Sequence, residues 1–241
     1  MKMKLIAIVG KKRSGKDTLA EYVVNECNGF KYQLAEPIKE TLSQAWKRRF
    51  NHESAHPKLQ WEDWEGIGEW DRERPFVMNN YEAKDLFQES LEWLSRRHRL
   101  DYFKFDGGNS ISDLIEKLTI NNNVPWTIRR FMQTLGTDIV VDGIDRMFWM
   151  KLFAEKYYDK FYSDFDYFVV PDVRQTHEIE ALRAMGATII HVVRPDTVDS
   201  SDQHITEAGL PIIDRDIVIE NDGTTDELFK KFNEVLNVRI N

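Results

Sequence analysis

Cysteine is almost missing from this chain: among its 241 residues only Cys27 carries a thiol. A single cysteine makes neither an intrachain disulfide nor a cysteine-based zinc site, which fits a reducing compartment. Near the end of a predicted amphipathic helix, Cys27 reads as a small packed residue, with a reactive thiol as the alternative. Positive charge is also short. Lys and Arg number 33 against 41 Asp and Glu, a net charge of -8, whereas gripping nucleic-acid backbone requires clustered cations. Direct nucleic-acid binding is not expected, although local basic sites stay open. No apolar run approaches the roughly 18 residues of a membrane span and no secretory signal is visible, so a cytoplasmic protein without membrane contact is expected. No internal period is found. His177, His191 and His204 lack metal-ligand spacing and read as structural or capping, and no nucleophile with an adjacent base stands out. With 41% hydrophobic and 31% charged residues the chain is globular in composition. Its length suits one domain with an insertion or two small ones.

What the chain does have is concentrated at its start. A run of β-formers from Lys4 to Val9 meets Gly10-Lys11-Lys12-Arg13-Ser14-Gly15-Lys16-Asp17-Thr18, and a helical pattern follows. Read as G-x-x-x-x-G-K, this is a phosphate-binding loop in the strand-then-helix setting the motif requires. The glycines let the backbone curl so that successive N–H groups point inward, and the helix N-terminus behind them favours negative charge. Polyphosphate is the ligand this geometry suits, with Lys16 reaching the outer phosphates as a point charge. Asp17 stands where a Ser or Thr hydroxyl normally meets Mg²⁺. Carboxylates are ordinary Mg²⁺ partners, so Asp17 and Thr18 are the candidate metal residues. The competing reading makes Asp17 a favourable first-turn helix residue.

Downstream, Thr18–Asn25 reads as a helix and Lys31–Leu34 as a short strand. A second helix starts at Glu36-Pro37, with Ile38, Leu42, Ala45 and Trp46 on one face. The β-α-β-α alternation predicts an α/β fold with a parallel sheet wound by right-handed crossovers. Between about residues 50 and 125 the pattern weakens into a helical insertion. There His52–Pro57 reads as a loop, and Trp61, Trp64 and Trp70 read as a cap over a cleft or a surface segment with part-buried rings. Tyr81–Leu100 is a long amphipathic helix, Asp106–Asn109 a turn and Ile111–Leu118 another helix. Beyond it, Trp126–Leu135 reads as a helix ended by Gly136, and Arg146–Phe161 as another. Tyr167–Val170 is a strand, Glu178–Ala184 a helix and Thr188–Val193 a strand; a polar stretch starts at Arg194. Asp216–Glu220 is a last strand, Asn221-Asp222-Gly223 a turn and Thr225–Leu236 a closing helix with a Thr cap.

Phosphoryl transfer asks a protein mainly for positioning and cationic groups. Lys11, Lys12 and Arg13 place positive charge at the mouth of the loop. Arg72, the pair Arg129/Arg130 and Arg174 are candidates for an acceptor phosphate, because the planar guanidinium makes bidentate contacts with phosphate oxygens. Arg174 is favoured by its place in Pro171-Asp172-Val173-Arg174, just past a strand's carboxyl end, where open parallel sheets bind ligands. Arg129 is favoured because Gln133, an amide able to read a base edge, lies one helical turn on. Arg74 and Arg183 read as solvated or ion-paired. Asp172 either reaches Mg²⁺ through water or fixes Arg174; Phe148 and Trp149 are either core or a stacking surface for a base.

Taken together these residues resemble a known family, the deoxynucleoside monophosphate kinases of T4-type bacteriophages. The resemblance is carried by Lys12 to Thr18, Lys31-Tyr32-Gln33-Leu34-Ala35, Asp71-Arg72-Glu73, Leu135-Gly136-Thr137-Asp138, Asp145-Arg146-Met147 with Trp149, Val170-Pro171-Asp172 and Arg174-Gln175. His191 to Pro195 and His204 to Pro211 continue it. It implies a P-loop kinase three-layer fold, a single domain over 1–241 with a helical substrate-binding insertion at about 50–125 and a lid-like segment at about 194–207. It also implies transfer of the γ-phosphoryl of ATP, with Mg²⁺, to dGMP, dTMP or a hydroxymethylated dCMP, by a homodimer in the infected host cytoplasm. By position, Ser14, Gly15, Lys16, Asp17 and Thr18 would bind ATP. Lys12, Arg13, Arg72, Arg129, Arg130, Gln133, Gly136, Thr137, Trp149, Asp172, Arg174 and Gln175 would bind the deoxynucleotide. Lys16, Arg13, Arg129 and Arg174 would carry catalysis. Two rival readings share the loop: another small-molecule kinase of phosphomevalonate or dephospho-CoA type, and a P-loop ATPase or nucleotide-binding regulator acting on DNA.

Overall fold

The computed structural model describes residues 3–52, 54–101, 110–195 and 210–239. The chain divides into two compact units, one made of Met1–Leu34 with Phe153–Asn241 and the other of Ala35–Leu152.

The first unit is built on a sheet. Strand β1 (Lys4–Val9) buries Leu5 through Val9 without alternation, the pattern of a strand covered on both faces. It lies in the middle of a five-stranded sheet with β2 (Gly29–Lys31), β3 (Tyr167–Val170), β4 (Thr188–Val193) and β5 (Ile217–Glu220), in the order β2-β3-β1-β4-β5. All pairings are parallel, with Leu5 opposite Phe168 and Val9 opposite His191. Ile6, Ile8, Val169, Ile190, Val192, Ile217 and Ile219 point to one face. There they meet Leu19, Ala20 and Val23 of α1 (Lys16–Glu26) and Leu228, Phe232 and Leu236 of α9 (Thr225–Arg239). On the other face Phe168 packs against Phe153 and Tyr157 of α7 (Phe148–Lys160), at 5.8 and 5.2 Å between ring centroids. The buried Ile179 and Leu182 of α8 (Thr176–Ala184) belong to the helix beside β4. This gives the three α/β/α layers. Connections from β1 and β3 run to opposite sides of the sheet, so the loop after β1 sits at the switch point where such sheets hold ligands.

The short strand differs from expectation: it covers Gly29–Lys31 instead of Lys31–Leu34. A Cβ on Gly29 would lie 2.8 Å from the Val23 carbonyl. Glycine there lets the end of α1 press on the strand. After Tyr32, whose N–H donates to Val169 at 2.9 Å, the chain leaves the ladder, and the Leu34 N–H turns to Asp172 Oδ1 at 2.8 Å.

The second unit is helical. It contains α2 (Glu36–Phe50), α3 (Trp61–Glu65), α4 (Asn80–His98), α5 (Ile111–Ile120) and α6 (Ile128–Gln133), followed by a π-helical run, Thr134–Val141. It thus takes in helices on either side of the 50–125 stretch, because their apolar faces share one aromatic core. Trp46 of α2 lies 4.7 Å from Phe76, 6.3 Å from Trp64 and 6.4 Å from Phe131. Each such ring removed from water contributes about 1.5–3 kcal/mol. Asn79 starts α4 with a reciprocal cap: its Oδ1 accepts from Tyr81 and Glu82 at 2.9 and 3.0 Å, and Glu82 accepts from the Asn79 N–H at 2.7 Å. Trp64 is fully buried and Trp70 packs partly buried against the same core, while Trp61 is exposed, so the tryptophan-rich segment lays part of its rings into this core. The turn expected at Asp106–Asn109 and nearly all of the lid-like segment, from residue 196 on, lie outside the described residues, as does His204.

Candidate active site

The loop after β1 is shaped by two close approaches. A Cβ on Gly10 would fall 2.6 Å from the Val192 carbonyl and 2.4 Å from Ser14 Oγ, so only glycine lets the chain turn there. The Ser14 N–H closes the turn on the Lys11 carbonyl at 3.1 Å. Arg13 at φ 66° and Gly15 at φ 100° both adopt the left-handed region. For the arginine this costs about 1 kcal/mol or more, borne by the surrounding loop. Helix α1 starts at Lys16, earlier than the apolar spacing indicates, with Gly15 as its N-cap and no side chain capping it. Its first N–H groups therefore face outward for an external acceptor. The Ser14 hydroxyl, 1% exposed, has no hydrogen-bond partner among the described residues. An uncapped helix start and an unsatisfied buried hydroxyl beside one lysine suit a phosphate chain. Lys16 Nζ lies 3.1 Å from Asp17 Oδ2, and the Asp17 side chain is 78% exposed. That carboxylate and the exposed Thr18 are accessible oxygen donors of the kind Mg²⁺ takes. Lys12 and Arg13 are exposed at the tip of the turn.

Beside it, past the end of β3, Asp172, Arg174 and Gln175 are set on a built turn. Glu178, in the first turn of α8, is buried at 7% exposure and accepts from the N–H groups of Arg174 at 2.8 Å and Gln175 at 3.0 Å. Burial pushes its carboxyl up to about 7; the two N–H groups oppose the rise and the charge of Asp172 adds to it. Asp172 accepts from Leu34, which ties the turn to the end of β2, and the Arg174 side chain is exposed. By sequence alone Glu178 stands only as the start of a helix. The Gln175-x-x-Glu178 spacing, a reciprocal cap with both bonds formed, was the available signal.

On the other side of this sheet edge His191 is buried, with Nε2 3.1 Å from Asp216 Oδ2, and Arg183 pairs with the same carboxylate. Burial pushes the His191 imidazole below its ordinary range. These are structural roles, as expected for His191 and Arg183. No cluster of metal-ligating side chains occurs among the described residues.

In the second unit the structure brings Arg72 and Arg129 together: the Arg129 N–H donates to the Arg72 carbonyl at 3.1 Å, and the Arg129 side chain pairs with Glu73. A Cβ on Gly66, at φ 79°, would lie 2.3 Å from Arg72 Nε, so that glycine makes room for the guanidinium. Gln133 follows Arg129 by one turn of α6, and both are half-buried. Arg130 is engaged within its own unit, 4.9 Å above the Trp126 ring and 2.5 Å from Asn122 Oδ1. Burial lowers its pKa while Asp138 opposes this. Gly136 does not end the helix. It sits inside the π-helical run, where a Cβ would meet Ile38 Cδ1 at 2.7 Å. Thr137 is buried in the same run. Trp149 is 3% exposed and its indole N–H donates to the Gly136 carbonyl at 2.9 Å. Of its two sequence readings, core or base-stacking surface, the ring takes the first.

A family model described as deoxynucleotide monophosphate kinase matches residues 4–232. The chain is similar to a deoxynucleotide monophosphate kinase of Escherichia phage RB69, at 48% identity over 97% of this chain and 100% of the relative. It is also similar to the deoxynucleotide monophosphate kinase of Enterobacteria phage T4, at 46% identity over 98% of this chain and 100% of the relative. No helix among the described residues is long and apolar enough to cross a membrane.

Proposed function

This chain belongs to the deoxynucleotide monophosphate kinase family, and from that premise we propose that it moves the γ-phosphoryl group of ATP to deoxynucleoside 5′-monophosphates in the cytoplasm of an infected cell. One observation supports the donor side above others: the start of α1 is capped by no side chain, with the orphaned Ser14 hydroxyl and Lys16 at the same place. The N–H groups around Gly15 and Lys16 hold the donor phosphates, and the Lys16 ammonium moves from Asp17 to the outer phosphates as they bind. Mg²⁺, when bound, neutralises charge on those phosphates. Asp17 and Thr18 are the residues that would hold it.

Arg72 and Arg129 take the acceptor's phosphate, with Arg129 exchanging Glu73 for phosphate oxygens, and Gln133 reads the base edge. Lys12, Arg13 and Arg174 are exposed cations that gather charge on the transferring group. Asp172 and Gln175 hold the turn that presents Arg174. Gly136, Thr137 and Trp149 shape the acceptor side from within the core, and Arg130 supports it by fixing Trp126 and Asn122. An acceptor phosphate oxygen attacks the γ-phosphorus in line. It needs no general base because it is already largely ionised near neutrality. Accepted bases are proposed to be those of dGMP, dTMP and hydroxymethyl-dCMP. ATP consumption measured across the deoxy- and ribonucleoside monophosphates tests this: turnover confined to deoxynucleotides is expected. Turnover with phosphomevalonate or dephospho-CoA alone, or only with DNA present, overturns it.

A further inference from the structure

The residue just past strand β5 touches the phosphate loop from far away in sequence. Asn221, 8% exposed, donates from Nδ2 to the Ser14 carbonyl at 2.8 Å across a separation of 207 residues. Its place is itself well fixed. The Asn221 N–H donates to the Val193 carbonyl at 2.7 Å. Lys231 Nζ braces the following turn through the Glu220 carbonyl at 2.7 Å and Asp222 Oδ1 at 2.6 Å. The amide lies directly against the loop, since a Cβ on Gly15 would fall 2.4 Å from Asn221 Nδ2.

The Ser14–Gly15 peptide is planar and trans, so its carbonyl and its N–H point in opposite directions. Holding the Ser14 carbonyl against Asn221 turns the Gly15 N–H away from β5. Gly15 carries no Cβ and occupies a positive φ, so little in the residue itself stops this peptide from rotating. We propose that Asn221 is a positioning residue for phosphoryl transfer: its amide locks the Ser14–Gly15 peptide so that the Gly15 N–H is aimed at the donor's phosphates before they arrive. Preorganised donors of this kind act without reorganisation at the moment of reaction. This rests on the reading of the loop as ATP's phosphate site.

The test uses the full chain with Asn221→Ala and with Asn221→Leu, which keeps nearly the original volume. Inorganic tripolyphosphate, carrying no base or sugar, is the probe, measured as an inhibitor competing with ATP. Losing the bond and leaving the Ser14 carbonyl unsatisfied should raise the tripolyphosphate inhibition constant and the KM for ATP by a common factor of about ten or more. The KM for the acceptor should stay within about twofold, because Arg72, Arg129 and Gln133, proposed to take it, lie outside the loop and Asn221 holds only the Ser14–Gly15 peptide. Asn233→Ala is the control. It removes another long-range amide bond, from Asn233 Nδ2 to the Tyr22 hydroxyl at 2.7 Å, and should move neither constant. The proposal is overturned if ATP weakens while tripolyphosphate does not, which would mean direct contact with the nucleoside. It is equally overturned if both variants weaken donor and acceptor together, which would mean general damage. Lys16→Ala separates the two levels: tripolyphosphate binding unaffected by that change defeats the phosphate-site reading itself, whatever Asn221 does.

Discussion

Replacing Glu178 by Gln should change how the stability of this protein responds to pH. The side chain keeps its shape, and its amide oxygen can still accept from Arg174 and Gln175, so the change is mainly one of charge. In the fold the carboxyl is held up at about 7 against an ordinary 4.5, chiefly by burial. The folded state therefore prefers the protonated acid. Its contribution to stability is complete below pH 4.5 and disappears as pH rises through about 7. At about 1.4 kcal/mol per pH unit, wild type should lose about 3 kcal/mol relative to Glu178→Gln across that window and nothing further above pH 8. Urea unfolding of both proteins at pH 5, 6, 7 and 8 reads this as a gap in midpoint that widens by about 1 M and then levels off. A gap that stays constant with pH would refute the reasoning, because the acid would then be ionised in the fold at its ordinary value. Glu178→Ala should behave differently. It strands two part-buried N–H groups and releases the turn that presents Arg174, so kcat should fall as well as stability.

Arg174→Ala should lower kcat/KM by about a hundredfold or more with an unchanged melting temperature, since the side chain is exposed; near wild-type turnover defeats its role. Asp17→Asn and Thr18→Ala should each raise the Mg²⁺ concentration needed for half-maximal rate, and an unshifted Mg²⁺ dependence in both rejects the metal assignment. Gly136→Ala places a methyl 2.7 Å from Ile38 Cδ1 and should cost about 1–3 kcal/mol in thermal or urea unfolding. Adding Ile38→Val, which removes that methyl, should restore part of the loss; if the double variant is simply additive, the clash is not the cause.

The residues legible in sequence are those whose reason lies within a few positions. The phosphate loop could be read because its glycines, its lysine and the strand before it are adjacent. Tyr167–Val170 and Thr188–Val193 could be read because buried parallel strands are continuous apolar runs. Gly136 misled for the opposite reason. Glycine after an amphipathic segment is the ordinary mark of a helix end, whereas here its missing Cβ serves contact with Ile38, roughly a hundred residues earlier, and the backbone passes through it as a π-helix. The spacing around Trp149 suits core and platform alike; its burial and the bond from its indole N–H to the Gly136 carbonyl exist only in the fold.

Asn221 is the strongest instance. In sequence it is the first residue of an Asn-Asp-Gly turn, where asparagine is favoured for its own local bonding. In the fold its amide is spent instead on Ser14. No spacing rule joins them, because the link exists only once β1, β4 and β5 stand side by side and bring the end of one strand to the loop after another. A loop motif therefore announces where phosphate binds, while the residue that sets the loop's peptide geometry belongs to the sheet. Its contribution has to be sought by tracing which buried polar groups face each backbone carbonyl of the loop.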